Sequence, residues 1–100
     1  METTFTFRNI ESTEALKSHT LSKLEKLKKI LIKPEKAHVI LVVKKFNHQV
    51  EITINANGTQ YVSHEVSENM YTSIDEAVHK LERQLVKYKE KLKSHHSPKL

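Results

Sequence analysis

Near its N-terminus the chain alternates threonine with phenylalanine (Thr4, Phe5, Thr6, Phe7), a two-residue period that predicts a strand from Thr3 to Arg8 with Phe5 and Phe7 facing a core. The period then lengthens. Leu16, Leu24, Leu27 and Leu31 fall on one side of a helix, with Thr20 between them and Ile30 at the margin. Ser12 or Thr13 is placed to cap that helix, Glu11 and Glu14 sit near its positive end, and Pro34 bounds it, so it should stop by Ile32 or Lys33. From Ala37 to Phe46 the chain is too apolar for a surface strand and predicts a central one. Val50 to Ala56 alternates cleanly, with Val50, Ile52, Ile54 and Ala56 inward. Asn57-Gly58 then signals a tight hairpin, because both central positions of a type I′ turn need positive φ. Thr59 to Val66 reads as the return strand. Ser67 or Asn69 can cap a last helix that runs from about Met70 to Lys93 without glycine or proline.

The predicted order is β-α-β-β-β-α. Two leucine-striped helices need one apolar surface to bury against, and one face of a four-stranded sheet supplies it. The expected fold class is therefore α+β, two layers, with both helices on one face of the sheet. Residues 1–94 form the single expected domain and 95–100 a flexible tail.

The last helix has two distinct bands. At about 100° per residue, Met70, Ile74, Val78, Leu81, Leu85, Tyr88 and Leu92 form a core stripe. Lys80, Arg83, Lys87 and Lys91 follow one another at turn spacing on one flank, a row of like charges that repel mildly and have no acid among them. Lys23, Lys26, Lys29 and Lys33 add cations to the first helix, the last three at i, i+3 and i+7. With both helices on one side of the sheet, their outer rows are expected to merge into one basic surface.

Composition sharpens this. The chain has 100 residues, enough for one core, and 17 Lys+Arg against 12 Asp+Glu give a formal charge of +5 and a pI near 9.5. A polyanion is the partner class such a balance favours; the competing reading is a merely solubilising lysine surface. No cysteine is present, which excludes disulfides and thiolate chemistry. The N-terminal residues have no signal-peptide pattern, and the Val39 to Val43 run is too short to span a bilayer, so a soluble cytoplasmic protein is expected. Seven histidines show no zinc-ligand spacing, His64 and Glu65 on a strand point to opposite faces, and one glycine cannot form a phosphate-cradling loop. Neither an enzyme nor a metal, cofactor or small-molecule substrate is expected. The β-β-β-α half also matches part of a double-stranded-RNA-binding domain, which keeps a general duplex-RNA binder or RNA chaperone as the alternative.

Two segments carry a more specific signal: Asn69-Met70-Tyr71-Thr72-Ser73-Ile74-Asp75 with Lys80-Leu81-Glu82-Arg83-Gln84-Leu85-Val86-Lys87-Tyr88-Lys89-Glu90-Lys91-Leu92-Lys93, and Ile10-Glu11-Ser12-Thr13-Glu14-Ala15-Leu16 with Lys23-Leu24-Glu25-Lys26-Leu27. In these the chain resembles the ribosome hibernation-promoting factors and the related ribosome-associated inhibitor, protein Y. Asn69 stands where the family usually has an acid, and Ser73 where it has an alanine-like residue. The resemblance implies a stress-response protein that occupies the messenger RNA and A- and P-site transfer RNA channel of the small ribosomal subunit and inhibits translation. It implies rRNA contacts by Lys23 and Lys26 of the first helix and by Lys80, Arg83, Lys87 and Lys91 of the last, and the charge row adds Lys29 as a candidate RNA contact. Met70 and Tyr71 belong to the motif but are expected to pack at the helix start rather than to bind. With neither a long acidic tail nor an added C-terminal domain after the motif, the chain is similar to the short form. That form implies a monomer acting beside a ribosome modulation factor on the same ribosome.

Overall fold

The computed structural model describes residues 1–31, 33–56 and 58–96, without the side chains of Glu35 and of residues 88–96. Its elements are β1 (Glu2–Arg8), α1 (Glu14–Leu27), a 3-10 turn (Lys28–Ile30), β2 (Pro34–Lys44), β3 (Asn47–Ala56), β4 (Thr59–Ser67) and α2 (Met70–His96). The four strands lie in the order β1-β2-β3-β4, with β1 parallel to β2 and the other pairs antiparallel. The α+β class and the β-α-β-β-β-α order are thus as the periodicity predicts.

One sheet face is covered by both helices. Register places Phe5 and Phe7 beside Val39 and Leu41, these beside Ile52 and Val50, and Ile52 beside Ser63. Against this face α1 buries Leu16, Thr20, Leu24 and Leu27, and α2 buries Met70, Ser73, Ile74, Ala77, Val78, Leu81 and Leu85. Tyr88 and Leu92, also assigned to the core stripe, lie outside the described side chains. Phe5 and Phe7 are only half-buried, because β1 is an edge strand; their rings stack at 6.2 Å between centroids. Where Thr20 enters the core its hydroxyl donates to the Leu16 carbonyl at 2.8 Å, so no polar group is stranded there.

The helix starts follow from capping. Thr13 is the residue that caps α1, its Oγ1 accepting from the Leu16 amide at 3.1 Å. Asn69 Oδ1 accepts from the Tyr71 amide at 2.8 Å and the Thr72 amide at 3.4 Å, so the asparagine in place of an acid still caps α2. At the other end α1 departs from expectation. Its α-helical turns end at Leu27, the chain tightens into the 3-10 turn, and Leu31 is already extended at φ −91°, ψ 131°. The reason is that Pro34 opens β2 and needs an extended approach. β2 and β3 meet closer to each other than expected: Lys44 pairs with Asn47, which moves Phe46 from strand to turn. Ala56 pairs with Thr59, and Gly58 has φ +70°, as the Asn57-Gly58 hairpin requires; Asn57 itself lies outside the described residues. α2 extends to His96, into the segment expected to be tail, and residues 97–100 lie outside the described residues.

Candidate nucleic-acid interface

Because α2 crosses the sheet beside β4, its two flanks meet different neighbours. Tyr71 and Asp75 sit to one side of the buried stripe, while Lys80, Arg83 and Lys87 sit to the other. The contacts agree with the wheel. On the first flank, His19 Nε2 of α1 lies 2.7 Å and Lys23 Nζ 3.8 Å from Asp75 Oδ1, and the His19 ring meets Tyr71 edge-on at 4.9 Å. On the second flank, Lys80 Nζ lies 2.6 Å from Glu65 Oε2 and Gln84 Nε2 donates to the Val62 carbonyl at 3.0 Å, both acceptors on β4.

The basic row of α2 therefore borders the edge strand β4, on the side of the helix away from α1. This corrects the expectation of one merged surface. Between the two sets, the outward face of α2 carries Thr72, His79 and Val86, whereas Glu76 falls within the basic band and Glu82 on the Asp75 flank. Nor do the α1 lysines form one row: Lys26 is in the last α-helical turn, Lys29 in the 3-10 turn and Lys33 beyond both, so the i, i+3, i+7 spacing does not align them.

Within the two sets the predicted residues are not equivalent. Arg83 and Lys87 are exposed and, among the described residues, have no ion-pair partner. The same holds for Lys26 and Lys29. Lys80 is neutralised by Glu65, whose side chain is only 19 % exposed, and Lys23 is drawn into the interhelical seam by Asp75. Lys91 lies outside the described side chains. Sequence spacing missed both acids because neither is in the lysine rows. Glu65 is carried on the strand that the row borders, and its inward register beside Val50 was the available signal. Of the two motif residues expected to pack, Met70 is buried, but Tyr71 is exposed against His19.

Between α2 and β4 runs an open groove lined by Val62, His64, Lys80, Arg83, Gln84 and Lys87, and also by the acid Glu82. Three cations against one acid, with amide and imidazole groups beside them, suit a phosphate backbone more than a small neutral ligand. Among the described residues no group of three or more His, Asp or Glu side chains is placed to hold a metal, and no helix is long and apolar enough to cross a membrane.

The chain is similar in sequence and fold to known proteins. The ribosome hibernation promoting factor of Escherichia coli K12 is 36 % identical over 95 residues, which cover 95 % of this chain and 100 % of that protein. The factor of the same name from Pseudomonas putida is 34 % identical over 94 residues, 94 % of this chain and 92 % of that one. Among solved structures, the Thermus thermophilus protein Y N-terminal domain superposes with a TM-score of 0.82 at 28 % identity, covering 88 % of this chain and 99 % of that one. A ribosomal subunit interface protein from Coxiella burnetii superposes at 0.80 and 26 % identity, covering 90 % and 99 %. The family model described as sigma 54 modulation protein / S30EA ribosomal protein matches residues 3–93, the two helices and all four strands, and the chain belongs to that family.

Proposed function

We propose that this protein is a ribosome hibernation factor, a non-catalytic inhibitor of translation that binds the small ribosomal subunit in the cytoplasm. Its basic helices contact rRNA, and the bound domain occupies the channel used by messenger RNA and by the A- and P-site transfer RNAs. The observation that carries the reading is the pair of unneutralised cations, Arg83 and Lys87, along a groove beside an edge strand, in a chain of this family. Hibernation-promoting relatives match it over nearly their whole length, which supports the assignment of class. The contact set is Arg83, Lys87 and Lys91 on α2 and Lys26 and Lys29 at the end of α1, with Lys80 and Lys23 joining once their carboxylate partners are displaced. The protein acts as a monomer, beside a ribosome modulation factor on the same ribosome.

Co-sedimentation with purified small subunits over a salt series tests this. Binding that weakens steeply with salt, and that a long RNA duplex fails to compete away at equal nucleotide concentration, is the expected result. Equal competition by duplex RNA would favour a general duplex binder, and no co-sedimentation at moderate salt would remove the reading altogether.

A further inference from the structure

Among the described residues, the most exposed large apolar side chain is not on either helix. Phe46 is 84 % exposed at the tip of the β2–β3 hairpin, where Lys44 pairs with Asn47 and only Lys45 and Phe46 close the turn. One exposed ring is ordinary on a protein surface, so only its surroundings can mark it as a contact. Its neighbours indicate which kind. Lys44 and Lys45 are both exposed and, among the described residues, unpaired. Arg8 lies in register with Val42, on the same open sheet face as Lys44, and both border a depression that also includes Gln49, Glu51 and His64.

The backbone is unusual at the same point. Lys45 has φ +56°, whereas Phe46 is not among the positive-φ residues, the pattern of a type II′ turn whose first central position ordinarily belongs to glycine. A lysine kept in that conformation presents a charge and a neighbouring ring together at the hairpin's end, where glycine would give an easier turn without the charge. An aromatic ring beside cations is the arrangement that recognises an unpaired nucleobase: the ring stacks on the base and the ammonium groups hold the adjoining phosphates. An apolar protein pocket would favour the ring but not two adjoining lysines that it must desolvate.

We infer that the hairpin tip, Lys44 to Phe46, is a second RNA-contacting element, in which Phe46 stacks on an unpaired base of single-stranded RNA and Lys45 and Lys44 bind the adjoining phosphates. The inference rests on the protein being an RNA binder, but not on the α2 groove, since the tip lies near the N-terminal end of α2 while Arg83 and Lys87 lie along its later turns.

The chain contains no tryptophan, so the full-length Phe46→Trp variant carries a single reporter at the tip. Titrated with a short oligoadenylate, its emission is quenched by stacking, while a blunt RNA duplex of the same length leaves it nearly unchanged. Phe46→Leu, apolar but without a π face, binds the oligoadenylate about 5-fold or more weakly with an unchanged salt slope. Lys45→Ala lowers that slope by roughly 0.7. Unquenched tryptophan at saturation, or full affinity of Phe46→Leu, overturns the inference; a blue shift without quenching on small subunits overturns it in favour of a protein contact. If Phe46→Leu binds both oligoadenylate and small subunits normally while Arg83→Ala fails on the subunits, the tip is not an RNA element and the proposed function stands. If the parent is quenched by oligoadenylate but does not co-sediment with small subunits, the tip stands and the proposed function falls.

Discussion

Replacing Glu65 with glutamine is expected to tighten binding to the small subunit, an outcome opposite to most interface substitutions. The Glu65 carboxylate lies 2.6 Å from Lys80 Nζ, with the two side chains 19 % and 48 % exposed. Any phosphate that takes Lys80 must first displace this counter-ion. A partly exposed pair of this kind is worth about 0.2 to 1 kcal/mol, so the competition weakens binding by up to about 5-fold. Glutamine keeps the shape and a hydrogen-bonding oxygen but removes the charge. Lys80 then meets a phosphate with its charge uncompensated, the RNA sheds one more condensed counter-ion on binding, and the magnitude of the log-log salt slope rises by about 0.7 to 0.9. The same reasoning ranks the lysine row: Lys80→Ala should weaken binding less than Arg83→Ala or Lys87→Ala, because Lys80 alone gives up a built-in partner. Subunit binding followed over a salt series, for the parent and the four variants, measures both affinity and slope. Unchanged affinity and slope in Glu65→Gln, together with a Lys80→Ala loss as large as that of Arg83→Ala, would refute the argument.

Other outcomes follow from the same contacts. If the proposed function is right, Arg83→Ala and Lys87→Ala should each lower the salt slope by about 0.7 to 0.9, the share of one phosphate contact, read in the same titration. Leu85, 2 % exposed and the last buried residue of the described α2 stripe, should cost about 2 to 5 kcal/mol on truncation to alanine, seen as a lowered denaturant midpoint with an unchanged m-value. Asn69→Ala removes the α2 cap and should cost about 1 kcal/mol by the same assay, whereas Asn69→Asp should keep the cap. Asp75→Ala breaks the contacts to His19 and Lys23 at the helix seam. Because these side chains are partly exposed, it should destabilise by less than about 1 kcal/mol while freeing Lys23, so that subunit binding is retained or tightened.

Local features carried most of the fold. The Thr-Phe alternation, the leucine spacing, Pro34 and Asn57-Gly58 each act over a few residues, and each led to the right element. The errors came where one element's end depends on the next element's needs. α1 gives up its last turn because Pro34 must already be extended. Phe46 belongs to the turn because β2 and β3 keep pairing up to Lys44 and Asn47, leaving two residues to close the hairpin. No residue at that turn announces it, since lysine occupies a position that glycine would normally mark.

By itself, then, the amino-acid sequence determined which elements form, which face of each turns inward, and that Lys80, Arg83 and Lys87 share one flank of a helix, because all of these follow from the geometry of a single strand or helix. It also carried the family, in the motif along both helices. Tertiary structure alone decided what stands beside that flank. A core stripe states which side of α2 faces the sheet but not which neighbour lies to its left or right. Strand order settles that, by placing β4 at the edge under one flank and α1 against the other. For that reason two rows that look continuous on paper become two separate sets of cations, and two lysines that look free are held by Glu65 and Asp75.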